Sequence, residues 1–199
     1  MTRSLNLVVG RGSTWSIRAY LCLQLIEFEF DLKVIALGEV GYREVLAKYS
    51  ANGLVPVLQL SNLAIHDSLA IVEYLNECSA GKLFPVDPRQ RAYCRSLLAE
   101  LHSGFSRIRT QLPFEFAPLS TQPDGSGLTE ELARLQAIWQ QFGAAFAFGE
   151  PGAVDAFYAV MAQRLHHYGI DFEGAAGAYQ QYLLGWRLFK DALADAQRW

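Results

Sequence analysis

No uncharged hydrophobic run in this chain approaches the roughly 20 residues needed to cross a bilayer as a helix, so the sequence argues against a membrane-spanning protein. Cysteine is scarce: Cys22, Cys78 and Cys94 are an odd set without C-x-x-C spacing, each inside a helical pattern. That excludes a disulfide scaffold or a redox pair and leaves buried, reduced thiols as the expectation. The four histidines, His66, His102, His166 and His167, show no metal-ligand spacing with cysteines or carboxylates, and His166 and His167 face different sides of a helix, so no metal is expected. Positive charge is also short. Seventeen Lys and Arg against 20 Asp and Glu give a net charge of −3, which offers no electrostatic case for binding nucleic acid or an anionic membrane surface.

What is present describes a globular protein. The 199 residues are 51% hydrophobic and 19% charged, enough for one large core or two small ones. Met1-Thr2-Arg3-Ser4 passes straight into a short strand-like run without a signal-peptide pattern, so a cytoplasmic location is expected.

The stretch around which the chain is organised is Gly53-Leu54-Val55-Pro56-Val57-Leu58-Gln59-Leu60. Its β-forming residues predict a strand, yet Pro56 sits where a strand should donate an N–H. A cis Val55-Pro56 bond resolves the conflict and leaves the Val55 backbone free to pair with a peptide-like ligand. Closely following, Asp67 and Ser68 precede the apolar positions Leu69, Val72 and Leu75 and read as the first turn of a helix. There the free N–H groups and the dipole attract an anion, and the aspartate holds an ammonium.

Upstream, Leu5 to Val9 reads as a buried strand ended by Gly10-Arg11-Gly12, and Ser13-Thr14-Trp15-Ser16 opens a helix with Ile17, Leu21, Leu25 and Ile26 at helical spacing. Such a junction places hydroxyls and amides at a positive helix end, where a neighbouring thiol ionises more easily. Phe28 to Leu37 reads as a second strand, Tyr42 to Tyr49 as a short helix, and Leu63 to Ile65 as the return strand of a hairpin. The order β-α-β-α-β-β-α fits a parallel pair extended by an antiparallel hairpin, a thioredoxin-like plan.

Leu83-Phe84-Pro85-Val86-Asp87-Pro88 has two prolines and no periodicity and reads as a linker, so the expected division is an α/β domain over 1–82, a linker over 83–88 and an all-α domain over 89–199. Cys94, Leu97, Leu98, Leu101, Phe105, Ile108 and Leu112 predict one long amphipathic helix from about Pro88 to Leu112. Pro113 to Gly127 reads as a loop, Leu128 to Phe146 as the next helix, Ala156 to His167 as a central one, and Ala175–Leu184 and Trp186–Gln197 as the last two.

Gly-x-Val-Pro-Val-Leu followed by a hairpin and Asp-Ser at a helix start resembles the glutathione-binding half of the cytosolic glutathione transferases. Ser13-Thr14-Trp15-Ser16-Ile17-Arg18 resembles the S-x-x-S-x-R turn of bacterial and zeta-like members of the serine/threonine type. Leu101-His102-Ser103-Gly104-Phe105 and the Arg109–Pro113 run look like a poorly characterised bacterial branch. The resemblance implies a thioredoxin-like domain followed by a helical bundle, with glutathione as co-substrate and a homodimer as the working form. It implies that Val55, Pro56, Asp67 and Ser68 bind glutathione, and that the catalytic hydroxyl is Ser13 or Thr14, with Ser16 a third choice. The plain alternative for Ser13 is a helix cap, and for Arg18 a solvated or interdomain ion-pair residue.

His102, Phe105, Arg109, Phe114 and Phe116 are candidates for an electrophile pocket; of these Phe114 and Phe116, in or near the loop, are selected, because an aromatic stripe at helical spacing is ordinarily core. Two departures stand out. Leu54 replaces a lysine common in the family, and Gly152 takes the Ser or Thr cap position three residues before Asp155. The expected activity is conjugation of glutathione to, or glutathione-dependent isomerisation of, a small hydrophobic electrophile. The competing reading is a non-catalytic binding or regulatory module on the same scaffold.

Overall fold

The computed structural model describes residues 5–116 and 127–199; the opening Met1–Ser4 and residues 117–126 of the expected loop lie outside the described residues. The chain divides into two compact units, one made of residues 1–83 with 191–199 and one of residues 84–190. The last nine residues thus group with the first unit, although helical patterning alone assigns them to the second.

In the first unit, β1 (Leu5–Gly10), α1 (Thr14–Leu25), β2 (Phe30–Ile35), α2 (Tyr42–Leu46), β3 (Val57–Gln59), β4 (Ala64–His66) and α3 (Ser68–Cys78) follow in chain order. The four strands form one sheet in the order β2-β1-β3-β4. β1 pairs parallel with β2 and antiparallel with β3, and β3 pairs antiparallel with β4. This mixed sheet with helices is a thioredoxin-like fold. The apolar run of β1 is buried because it has a strand on each side, whereas the edge strand β2 leaves Leu32 partly exposed. Val55–Pro56 is a cis peptide bond immediately before β3.

The second unit contains α4 (Pro88–Ser103), α5 (Ser106–Gln111), α6 (Thr129–Trp139), α7 (Ala153–His167) and α8 (Gly174–Gly185), and α9 (Arg187–Arg198) leads out of it. Asp87 caps α4 through its bond from the Gln90 N–H (2.8 Å), with Pro88 in the first helical position. α7 packs against both α4 and α8 and is buried along most of its length, which accounts for its nearly charge-free sequence.

Three sequence expectations change. The single helix over Pro88–Leu112 is broken: Gly104 is extended and Phe105 adopts φ +56°, so α4 ends and α5 restarts. A Cβ on residue 104 would lie 2.8 Å from the Glu100 carbonyl oxygen, so only glycine fits the break. The Arg109 guanidinium donates to the Leu101 and Gly104 carbonyls, taking the place of bonds that a continuous helix would have made. Cys78 is exposed, because it ends α3 on the outward side, while Cys22 and Cys94 are buried. The helix expected to run through Phe146 stops at Trp139; Phe142 and Phe146 leave it to pack on Tyr179 and on Tyr182 and Trp186.

Candidate functional site

In the first unit, the end of β1 and the start of α1 form a turn tied by its own hydroxyls. The Gly10 N–H donates to Ser16 Oγ (3.1 Å), the Ser13 N–H to the Gly10 carbonyl (3.0 Å), and the Ser16 N–H to Ser13 Oγ (3.3 Å). Ser13 is therefore the N-cap of α1, as the cap reading requires. Capping uses the oxygen as an acceptor and leaves the O–H free to donate elsewhere. The neighbouring hydroxyls differ in access. Thr14 is 7% exposed and Ser16 is fully buried and occupied in bracing Gly10, while Ser13 is only half-buried.

Gly10 is where three segments meet. A Cβ there would collide with Leu37 Cδ1 and stand 2.8 Å from Val55 Cγ2, so the end of β1, the loop after β2 and the residue before Pro56 pack directly together. The Leu54 backbone just ahead is held by Ser50, whose Oγ accepts from the Leu54 N–H (3.0 Å) and donates to the Leu54 carbonyl (2.7 Å). The Leu54 side chain is 65% exposed, and no cation stands in the place where the family commonly carries lysine. Arg18 is buried with its guanidinium 4.5 Å from the Trp15 ring centroid, so it is not the solvated residue that its place on a first helix suggests.

At the start of α3, Asp67 is exposed and accepts the Leu69 N–H at 2.7 Å. Its φ of +76° is unusual for a residue with a side chain and costs about 1–3 kcal/mol, a strain that concentrates at ligand sites. Ser68 is 1% exposed, and its Oγ has no hydrogen-bond partner among the described residues. A buried hydroxyl left without a bond costs about 1–3 kcal/mol, so this donor at a helix N-terminus suits an anionic group arriving from outside. His66 is exposed beside it, a surface histidine.

The candidates in the second unit are held differently. Phe114 and Phe116 are half-buried and meet edge to face at 5.3 Å. Arg164 of α7 lies 5.7 Å from the Phe114 ring centroid and donates to the Leu112 carbonyl (2.5 Å), and Tyr168, one turn on, donates to the Pro113 carbonyl (2.8 Å). Burial first and the charge of Arg109 second lower the Arg164 pKa to about 10. Burial also lowers that of Arg109, whose guanidinium is engaged by helix-end carbonyls, and Phe105 is core. Of the aromatic pocket candidates, Phe114, Phe116 and His102 are half-buried and Phe105 is core. Arg164 and Tyr168 escape the sequence reading, since an arginine and a tyrosine four apart on an apolar helix carry no motif.

Asp155, the surviving half of the cap at α7, accepts from the Ala147 N–H (2.9 Å), the Gly152 N–H (3.0 Å) and the Tyr179 O–H (2.8 Å). Among the described residues no group of three or more His, Cys, Asp or Glu stands close enough to hold a metal ion, and no helix is long and apolar enough to cross a membrane.

A thioredoxin-like unit and a helical unit, with a hydroxyl-capped turn beside a cis-proline strand, define the glutathione transferase fold. Residues 12–78 match the glutathione S-transferase N-terminal domain. The chain is 26% identical over 145 residues to a probable maleylacetoacetate isomerase of Caenorhabditis elegans, a match covering 69% of this chain and 66% of that protein. It is 31% identical over 98 residues to the maleylacetoacetate isomerase of Rattus norvegicus, covering 48% of this chain and 45% of that one. Both matches span less than two thirds of the relatives' own length. A Burkholderia glutathione transferase homologue solved with bound glutathione superposes with a TM-score of 0.74 at 19% identity, over the whole of both chains. Over residues 12–78 the chain is thus similar to the glutathione S-transferase N-terminal domain, and its fold is that of the glutathione transferases.

Proposed function

We propose that this protein activates the thiol of glutathione and either conjugates it to a small hydrophobic electrophile or uses it to isomerise one. The observation that carries the reading is the meeting at Gly10 of the Ser13 turn, the loop after β2 and Val55 of the cis-proline strand. There the Val55 backbone pairs with the cysteinyl part of the tripeptide, next to a helix start whose hydroxyl still has a proton to give. Ser68 takes the γ-glutamyl carboxylate and Asp67 the ammonium group. The unpartnered Ser68 hydroxyl and the strained Asp67 backbone support both assignments.

Ser13 is the favoured catalytic hydroxyl, because Thr14 is the more buried and Ser16 is committed to Gly10. Its hydrogen bond and the α1 dipole stabilise the thiolate over the thiol. Bringing a thiol from about 8.5–9 to 6–7 requires roughly 3 kcal/mol, within reach of those two effects. The thiolate then forms a carbon–sulfur bond with the electrophile. In conjugation a group leaves or a proton is taken up; in isomerisation the addition reverses after a bond rotation and returns glutathione. Phe114 and Phe116 supply apolar contact for the electrophile. A cytoplasmic location and a two-fold homodimer complete the reading, with exposed Leu54 and Leu63 offering apolar area to a second copy.

Calorimetric titration with millimolar glutathione, followed by turnover of a generic aryl halide, tests it. Binding heat and conjugation are expected, with Ser13→Ala lowering kcat/KM by about 10- to 100-fold and Thr14→Ala by less than threefold. No heat would favour the non-catalytic module, and two unchanged variants would end the hydroxyl mechanism.

A further inference from the structure

The last nine residues fold with the first unit, and they end on the turn that carries Ser13. On α9 and the residue after it, Ala192, Ala196 and Trp199 are buried at steps of four and three, one stripe of the helix. From that stripe three contacts reach the first strand–helix junction. Asp195 accepts a hydrogen bond from the Tyr20 phenol of α1 at 2.6 Å. The Trp199 indole stands edge to face on the Tyr20 ring at 5.4 Å. The main-chain oxygen of Trp199 accepts from Arg11 Nε at 2.5 Å, and Arg11 Nη1 also reaches Glu39 Oε1 at 2.9 Å. Arg11 lies between Gly10 and Gly12, and Gly12 has φ +74°. A turn flanked by two glycines has unusual backbone freedom, so its geometry depends on the ties made by the residue in the middle.

We propose that Arg11, held by the Trp199 main-chain oxygen and the Glu39 carboxylate, is a positioning residue that fixes the Ser13 hydroxyl, and that residues 191–199 act as a strap completing the thiol site. The inference rests on the glutathione-activating reading above. Arg11 and the strap act through the turn, by the bonds from Arg11 to Trp199 and Glu39. The link is durable, since burial and the bond to Asp195 raise the Tyr20 pKa to about 12 and keep its O–H a donor throughout the neutral range.

The test uses the full chain and three variants. Arg11→Ala removes both ties and the charge. Arg11→Lys keeps the charge but cannot hold both partners. Tyr20→Phe changes no charge and removes the phenol's bond to Asp195 together with the one it accepts from Gln24 Nε2 (3.0 Å) within α1. Amide hydrogen exchange over residues 10–16 reads the turn directly, and ultraviolet titration of bound glutathione reads the thiol. Arg11→Ala is expected to speed exchange about tenfold, raise the thiol midpoint by about one pH unit and lower kcat about tenfold, with the KM for glutathione within twofold. Arg11→Lys and Tyr20→Phe are expected to move the same readouts in the same direction, by less.

Unchanged exchange in all three variants overturns the strap. Faster exchange with an unchanged thiol midpoint makes it a structural anchor and overturns the positioning role. A normal midpoint in both Arg11→Lys and Tyr20→Phe, with a shift in Arg11→Ala alone, assigns the effect to charge and overturns it too. If the unaltered protein binds no glutathione, the functional reading fails and takes the thiol role with it, while the exchange result still reports whether the strap holds the turn.

Discussion

Of the helices that begin with an aspartate in the cap region, α3 of the first unit and α7 of the second use the carboxylate in opposite ways. Asp155 at α7 is 1% exposed and accepts three hydrogen bonds, from two backbone amides and the Tyr179 phenol. Asp67 at α3 is exposed, caps with the Leu69 amide, sits at a positive φ, and is followed by a hydroxyl with no partner. A saturated, buried carboxylate is a structural fixture. On the proposed reading, a strained, exposed one beside a buried hydroxyl without an internal bond serves a ligand. If that reading holds, the same residue type near the starts of two helices separates a folding role from a binding role, and the sign of each mutational effect should follow that division.

The largest effect is expected at Asp155. Asp155→Ala leaves two amides and a buried phenol without their acceptor and should cost about 3–5 kcal/mol by urea unfolding. Burial, only partly opposed by those bonds, holds its carboxyl above the 3.8 of a free aspartate. A raised folded value makes this contribution complete below 3.8 and lost as the pH climbs through the folded value. Asp155→Asn should therefore flatten the decline in stability above pH 3.8 relative to the parent chain; an unaltered slope would refute the assignment.

At the other helix start the signs reverse. Ser68→Ala should raise the Kd for glutathione about tenfold in calorimetry while leaving the Tm unchanged or higher, because it deletes a buried hydroxyl with no internal bond. A drop in Tm with unaltered affinity would make Ser68 structural like Asp155. Asp67→Gly relieves the positive φ and should gain up to about 1 kcal/mol of stability, since glycine at a cap costs only a few tenths, while weakening glutathione binding. Smallest is Leu54→Lys: placing a cation on this exposed position should tighten glutathione by roughly two- to fivefold, an effect erased by salt.

Much of the site was legible because its parts are local. A cap serine directly after a glycine, a proline at the head of a strand and an Asp-Ser pair before an apolar repeat each announce a backbone geometry within a few residues of themselves. The break at Gly104-Phe105 was not legible, since the apolar repeat runs through it without interruption and the bonds that make it tolerable come from Arg109, on the far side of the break. Arg18 and Arg164 were equally opaque. A cation on a helix is read as solvated until its ring and carbonyl neighbours are known.

The sequence by itself determined the strands, most of the helices, the pairing plan of the mixed sheet and the two helix starts that carry the candidate hydroxyls and carboxylate. Periodicity, proline and cap chemistry act over one or two turns of chain, and that is why these were readable. Only the tertiary structure decided which capping aspartate is buried and which is exposed, that Gly10 must be small where Leu37 and Val55 meet it, and that the final nine residues belong with the first unit. Those outcomes depend on contacts between segments up to 188 positions apart, as Arg11 and Trp199 are, and no local pattern records which distant group will fill a given partner's place.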